Sequence, residues 1–230
     1  MVKYKYIISL GEDCFMRSLI DQYNMRDKFK IRMPFDGSLH PYEEMCRLIE
    51  TDFLNYDNNI VLNNNIFYKS NDVILNHEKT TDINILKTQL YKRIEQFRET
   101  LNSGENILFL IHNKNKNIHF NFNLIQNAIK NKYPNLKYHI FVFNNYNEEF
   151  YINKTENTTY LNIFWNPNNI TNFINLNYDD INNDFITQMY KTPYGIDFSF
   201  KVLKEICSVL CEDYNNFILN ENYNFDKSLS

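Results

Sequence analysis

Cys14 is the side chain best placed by type and context to do chemistry, in the stretch SLGEDC. A strand predicted over Tyr4–Leu10 ends at Gly11, and a helix is predicted to begin at Cys14. At a helix N-terminus the dipole and the open N–H groups stabilise a thiolate and can also bind an oxyanion. Glu12 and Asp13 oppose this, because neighbouring carboxylates raise the pKa of a thiol. Two interpretations stay open: a nucleophile, or the inert buried state common for cysteine.

Two histidines follow predicted strands and are candidate general bases. His77 ends the stretch DVILNH, and His112 follows the apolar run NILFLI. A histidine at the end of a strand can accept a proton from a nucleophile that faces it. His77 taken alone is more typical of a structural surface histidine, and His112 is the second candidate base. The remaining histidines are predicted to be structural: His40, His119 and His139.

Asp36 and Arg93 are the charged residues that could complete such a site. Asp36 lies between two turn-forming residues in MPFDGS, where it could orient a histidine or only cap its own turn. Arg93 lies on a long predicted helix with other basic residues; it could anchor an anionic substrate, or belong to a solvated face. The candidate binding set is the loop together with these side chains: Gly11, Glu12, Asp13, Arg93 and His112.

Metal and nucleotide chemistry find little support in the sequence. Cys207 and Cys211 share a helix face but have no second ligand pair, so core packing is the favoured interpretation. The chain has four glycines and lacks a glycine-rich phosphate loop, an HExxH motif and a GxSxG motif. We therefore expect no cofactor and no metal.

Composition bounds the class of protein. The chain has 230 residues, 43% hydrophobic, which fits one globular domain over residues 1–230 with about ten frayed residues at the end. The net charge is −4 with scattered basic residues, so no nucleic-acid partner is expected. No apolar run is long enough to span a membrane and no signal peptide is recognised, so we expect a cytoplasmic protein with reduced thiols. The 39 asparagines indicate an AT-rich genome, viral or low-GC bacterial, and the polar runs rich in asparagine are expected to be solvated loops.

The pattern of strands and helices predicts an α/β fold. Fully apolar strands, NILFLIH, KYHIFVF and TTYLNIFW, alternate with helices predicted over about 81–102 and 120–132. A helix is also predicted from Pro41 to about Phe53, short strands over 59–77, and two helices at the C-terminus, Asp179–Tyr190 and Phe198–Asn215. We expect three layers with a mainly parallel central sheet, a small β-hairpin insertion and a helical C-terminus.

Several blocks in order resemble one family. The blocks ISLGEDC, RMPFDGS, DFLNY, LNHE and LYKRIEQFRETLNSGENILFLI are similar to those of an uncharacterised family labelled papain-like cysteine peptidases, over about residues 5–112. The resemblance implies Cys14 as nucleophile, His77 as its base and Asp36 as a third member. Gly37 stands where the family has Trp, and His112 stands where it has Arg. The label also implies an antiparallel sheet, whereas the alternation of elements predicts a parallel one.

Three functions are consistent with these observations. The first is a cysteine-dependent hydrolase or acyl transferase. The second is an enzyme for a carbohydrate or a nucleotide-linked substrate, in which the same loop binds the ligand and Cys14 is a spectator. The third is a non-catalytic interaction protein with a degenerate site. Substrate, oligomeric state and biological process do not follow from the sequence.

Overall fold

The computed structural model describes residues 4–22, 32–113, 120–144 and 151–162. These residues form a mixed α/β fold with a mostly parallel sheet and a small antiparallel one. The strands are β1 (Tyr6–Gly11), β2 (Val61–Asn63), β3 (Ile66–Lys69), β4 (Val73–Leu75), β5 (Ile107–Asn113), β6 (Tyr138–Asn144), β7 (Tyr151–Lys154) and β8 (Thr158–Asn162). The helices are α1 (Phe15–Gln22), α2 (Tyr42–Glu50), α3 (Ile83–Leu101) and α4 (Phe122–Lys132).

The larger sheet has the strand order β1-β5-β6-β8-β7. Strands β1, β5, β6 and β8 are parallel, and β7 pairs antiparallel with β8. Every residue of β5 is buried, as expected for a strand covered on both faces. The predicted mainly parallel sheet is therefore confirmed, and among the described residues the larger sheet is not the antiparallel one that the peptidase label implies. β7 was not predicted, because YINK is a short and mostly polar edge strand.

The two faces of this sheet carry different side chains, because successive residues of a strand point to opposite sides. One face contributes Ile8, Leu10, Phe109 and Ile111 to a large apolar cluster that also contains residues of α2, α3 and α4. We call it the core face. The opposite face carries the row Gly11, His112, Phe143 and Leu161, paired in register across four strands. We call it the α1 face, since Phe15 of α1 stacks on the Phe143 ring and packs against the His112 ring.

Asparagines shape the smaller sheet, in which β2, β3 and β4 are consecutive and antiparallel. Asn64 and Asn65 have φ values of 48° and 61°, and Asn71 and Asp72 have φ values of 64° and 57°. These left-handed conformations suit tight hairpin turns, and Asn and Asp adopt them more readily than other non-glycine residues. Part of the asparagine excess therefore builds turns rather than featureless loops. The predicted hairpin insertion is a three-stranded sheet.

Helix ends depart from the sequence prediction for identifiable reasons. α2 ends at Glu50 instead of Phe53, because Asp52 and Phe53 have positive φ values of 54° and 58°, which a right-handed helix cannot contain. α3 begins as predicted after Asp82, whose carboxylate accepts hydrogen bonds from the Asn84 and Ile85 amides. The predicted helices Asp179–Tyr190 and Phe198–Asn215, with Cys207, Cys211 and the C-terminal end, lie outside the described residues.

Candidate functional site

The loop Gly11–Cys14 makes a sharp turn between β1 and α1. A Cβ at Gly11 would lie 2.7 Å from the Asp13 carbonyl oxygen, so any larger residue would collide with the backbone. The Asp13 carboxylate accepts a 2.9 Å hydrogen bond from the Phe15 amide, the first residue of α1. The Gly11 carbonyl accepts a 3.2 Å hydrogen bond from the His40 amide. These two hydrogen bonds restrain both ends of the loop.

A buried carboxylate–imidazole pair lies at this loop. Asp13 Oδ2 and His112 Nδ1 are 2.7 Å apart, and the two side chains are 7% and 5% exposed. The contact follows from the topology of the sheet. Gly11 and His112 are register partners on adjacent parallel strands, so Asp13, two residues after Gly11, lies next to His112. The His112 ring packs against the tilted Phe15 ring, with centroids 4.6 Å apart, and stacks on Phe143 at 5.6 Å.

This pairing determines what the imidazole can do. An ionised carboxylate only accepts hydrogen bonds, so Nδ1 of His112 carries the proton shared with Asp13. In the neutral ring, Nε2 is then the basic nitrogen. When Nε2 takes up a proton, the adjacent carboxylate stabilises the cation. Asp13 therefore orients the ring and supports its protonated state, which are the two properties a general base needs.

Cys14 lies between the two residues that contact His112. It is half-buried, preceded by Asp13, which bonds the imidazole, and followed by Phe15, which packs against it. The structure thus brings Cys14, Asp13 and His112 into one loop-and-strand-end cluster at the carboxyl end of a parallel sheet. Ligand sites in open α/β sheets form at such ends.

His77 has different surroundings. It is exposed and follows β4, and its carbonyl accepts a 2.9 Å hydrogen bond from Arg32 Nη1. Its Cβ is 3.3 Å from the position that a Cβ on Gly37 would occupy, which explains why a residue as large as Trp is absent there. Partial burial and, secondly, the charge of Arg32 lower the pKa of His77. The described contacts of His77 are with the loop 32–40.

Asp36 is buried and binds three donors from three parts of the chain. It accepts hydrogen bonds from Ser9 Oγ at 2.7 Å, from Arg17 Nη1 at 2.9 Å and from the Met33 amide at 2.7 Å. The histidine-orienting position predicted for Asp36 is taken at His112 by Asp13. Ser9 and Arg17 were not singled out from the sequence, although a serine inside an apolar strand and an arginine three residues after Cys14 were visible signals.

Arg93 is engaged in a buried ion pair. Its two terminal nitrogens donate to the two carboxylate oxygens of Glu78 at 2.6 and 2.7 Å, and the side chains are 7% and 2% exposed. This bidentate pair fixes α3 against the turn that follows β4. Arg93 is therefore poorly placed to bind an anionic substrate as predicted, because Glu78 occupies both of its terminal nitrogens.

A second buried histidine lies under the core face. His40 Nδ1 is 3.2 Å from Ser38 Oγ and its Nε2 is 2.8 Å from the Tyr56 hydroxyl. Burial lowers the pKa of His40 to about 3, so the ring is neutral over the physiological range. Cys46 of α2 is also buried, and burial raises the pKa of its thiol to about 12. Neither group is suited to proton transfer or attack at neutral pH.

Other classes of site find no support in the described ranges. Within them, no three or more His, Cys, Asp or Glu residues are grouped so as to hold a metal ion. Across the same ranges, none of the helices combines the length and the apolar character that crossing a bilayer requires. Comparisons of the chain with protein-family models, with curated proteins and with solved structures found no match.

Proposed function

We propose that the protein is a cysteine-dependent hydrolase or acyl transferase in which Cys14 is the nucleophile, His112 is its general base and Asp13 orients His112. This proposal rests on the 2.7 Å hydrogen bond between His112 and Asp13, because Asp13 is the residue next to Cys14 in the chain. The proposal keeps the nucleophile implied by the family resemblance. It replaces the implied base His77 and third member Asp36.

The reaction follows the chemistry of a thiol–imidazole pair. Nε2 of His112 takes the proton of the Cys14 thiol, and the sulfur electron pair forms a bond with the acyl carbon while the carbonyl electrons move to oxygen. Backbone N–H groups at the start of α1 stabilise that oxyanion. The bond to the leaving group then breaks, and the leaving group takes the proton from Nε2. Water, deprotonated by His112, attacks the thioester and releases the acid and the Cys14 thiolate, which regains a proton.

The acidic residues before Cys14 are compatible with this role. A carboxylate beside a thiol disfavours the thiolate. The Asp13 carboxylate, however, is bound on one oxygen by the Phe15 amide and on the other by His112. Its negative charge therefore promotes protonation of the imidazole, and an imidazolium next to a thiolate lowers the pKa of the thiol.

The test is alkylation of Cys14 by iodoacetamide between pH 5 and 10, followed residue by residue by mass spectrometry. We expect an apparent thiol pKa below the ordinary value of about 8.5, and we expect the shift to disappear in His112→Gln. His77→Gln is the matched control and should keep it. A Cys14 that reacts near neutral pH no faster than in the unfolded chain contradicts the proposal, and so does a shift that depends on His77 and not on His112.

A second function is favoured because the Asp13–His112 pair forms a carboxylate–imidazole base that does not need Cys14. Such a pair can deprotonate a substrate hydroxyl directly, as an enzyme for a carbohydrate or a nucleotide-linked substrate would require. Chromogenic esters, anilides and glycosides separate the two. Turnover that survives Cys14→Ala but not His112→Gln supports this second function, and turnover lost in both variants supports the thiol mechanism.

Membership in the papain-like cysteine peptidase family remains part of the proposal. It is supported by the strand–Gly–x–x–Cys–helix order of β1, Gly11, Cys14 and α1. We propose that the described residues form three layers, because α1 and the α2–α4 group pack on opposite faces of the sheet. We also propose a cytoplasmic location, viral or bacterial, and no cofactor. The net charge of −4 supports the absence of a nucleic-acid partner.

A further inference from the structure

A single buried carboxylate connects the two segments that flank the Cys14 loop. Asp36 is fully buried. It binds Ser9 in the middle of β1 and Arg17 in the first turn of α1, and it also binds the Met33 amide of its own loop. Ser9 precedes Gly11 by two residues and Arg17 follows Cys14 by three. Asp36 therefore links the two ends of the loop that carries Cys14 and Asp13, and we call these contacts the Ser9–Asp36–Arg17 bridge.

The loop 32–40 also holds the start of the turn. The His40 amide, at the end of that loop, donates to the Gly11 carbonyl. Leu39 forms an antiparallel bridge with Ile74 of β4, which anchors the loop to the smaller sheet. The Gly11–Cys14 turn is thus restrained from outside at Ser9, Gly11 and Arg17, all by one short segment.

We propose that Ser9, Asp36 and Arg17 are positioning residues that hold the Cys14 loop in register with His112. The inference rests on the proposed function, because it assigns these residues to the geometry of that site. They touch neither the imidazole nor the thiol in any contact described above, and they act through β1 and α1.

The chemistry of Asp36 suits this role better than an uncharged side chain would. Both its oxygens accept hydrogen bonds, and Oδ2 receives two of them, from Arg17 and Met33. An asparagine would replace one acceptor with an NH₂ donor that faces another donor, and it would remove the negative charge from the Arg17–Asp36 ion pair. Asp36→Asn is therefore nearly isosteric and yet should release the bridge.

The experiment measures the Cys14 loop by two methods in the full chain. The first is the pH profile of Cys14 alkylation; the second is the NMR titration of the His112 ring with hydrogen exchange at the Phe15 amide. The variants are Ser9→Ala, which removes one hydroxyl and no charge, and Asp36→Asn. Asp52→Asn is the control, since Asp52 is likewise ion-paired, to Arg98 at 2.9 Å and Lys132 at 3.0 Å, but at the C-terminal ends of α2, α3 and α4.

We expect Ser9→Ala and Asp36→Asn to slow Cys14 alkylation at neutral pH by about tenfold, because small displacements of reacting groups cost rate steeply. Both should move the His112 titration and speed exchange of the Phe15 amide, while Asp52→Asn changes none of these. If wild-type Cys14 is reactive and the bridge variants only lose stability, as Asp52→Asn does, the positioning role is overturned. If wild-type Cys14 is unreactive, the proposed function fails, and the positioning role with it. If Asp36→Asn does not fold, Ser9→Ala decides.

Discussion

Two regions of this protein each hold a histidine and a cysteine, and their surroundings differ. At the carboxyl end of the larger sheet, His112 bonds a carboxylate, and Cys14 is half-buried in the adjoining loop. Under the core face, His40 bonds the hydroxyls of Ser38 and Tyr56, and Cys46 is buried in α2. His112 therefore has a charged hydrogen-bond partner, whereas the hydrogen-bond partners of His40 are neutral hydroxyls.

The difference teaches what makes a buried histidine available for chemistry. A carboxylate partner offsets the desolvation of an imidazolium, whereas hydroxyl partners leave it uncompensated. His40 is therefore held neutral, and the proposed proton transfer is assigned to His112. A hydrogen-bonded, buried histidine is not by itself a functional signal, and the charge of its partner decides.

The largest expected effect is the contrast between the two cysteines. Burial raises the pKa of Cys46 to about 12, so Cys46 has more than about a thousandfold less thiolate at neutral pH than a thiol with the ordinary pKa of about 8.5. In the native protein at pH 8, iodoacetamide should label Cys14 and leave Cys46 unmodified until urea unfolds the chain. Site-resolved mass spectrometry measures both rates. Equal labelling of the two thiols would erase the contrast.

The next effect concerns the ion pair of Glu78 and Arg93, in which Arg93 is a buried residue of α3, a helix that contributes to the core cluster. Glu78→Gln leaves a buried guanidinium without its counter-ion, and we expect a loss of about 3–5 kcal/mol in the free energy of unfolding by urea. Glu105→Gln, which breaks the exposed pair with Lys5, should cost less than about 1 kcal/mol.

The same Glu78 variant tests where the site lies. Because Arg93 is placed in the core and not at the Cys14 loop, alkylation of Cys14 in folded Glu78→Gln should match the wild type. A Cys14 rate that falls together with the stability would join the two regions and reinstate Arg93 as a candidate for the site.

Asp13→Asn weakens the charged region itself. We expect a loss of about 2–3 kcal/mol in unfolding free energy, since a buried hydrogen bond to a charged group is lost. Asp82→Asn is the matched control: Asp82 also accepts a hydrogen bond from the amide two residues ahead, but it has no histidine partner. Asparagine caps helices about as well as aspartate, so this variant should be nearly neutral. Equal losses in the two variants would mean that His112 contributes nothing.

The smallest effect is the acid sensitivity that His40 confers. Its folded pKa of about 3 lies below the unfolded value of 6.5, so below pH 6.5 the unfolded chain binds a proton that the folded protein does not. The stabilising contribution is complete above pH 6.5 and is lost as the pH falls, by about 1.4 kcal/mol per pH unit. Urea unfolding at pH 7, 6 and 5 should give a shallower slope for His40→Gln than for the wild type. His77→Gln is the control, since His77 is exposed. If His77→Gln reduced the slope of unfolding free energy against pH more than His40→Gln does, the assignment of the acid sensitivity to His40 would be wrong.

The fold was readable from the sequence where the hydrophobic pattern was strong. The apolar runs that became β5, β6 and β8, and the heptad-like spacing of α3, were predicted because burial on both faces or on one stripe leaves a direct trace in the residue order. β7 and the early end of α2 were missed. β7 depends on pairing with the neighbouring strand β8. The early end of α2 depends on the left-handed backbone at Asp52 and Phe53, which their packing holds.

The site was only half readable. Cys14, Asp13 and His112 were all named as candidates, because a cysteine after a strand and a histidine at a strand end are local signals. Which carboxylate meets which histidine was not available locally, since Asp13 and His112 are 99 residues apart in the chain and Ser9 and Asp36 are 27 apart. Of the predicted partners, Asp36 belongs to loop 32–40 and bonds Arg17, and the His77 carbonyl accepts a hydrogen bond from Arg32 of that loop.

The sequence by itself determined the elements: buried parallel strands, the helix that starts after Cys14, and the glycine that allows the turn between them. Those follow from local hydrophobic periodicity and backbone sterics, which act over a few residues. Only the tertiary structure decided the partners, because strand register brings His112 beside the Gly11–Cys14 loop and leaves His40 among neutral hydroxyls. Electrostatics depends on distance in space, and that distance exists only once the sheet has formed.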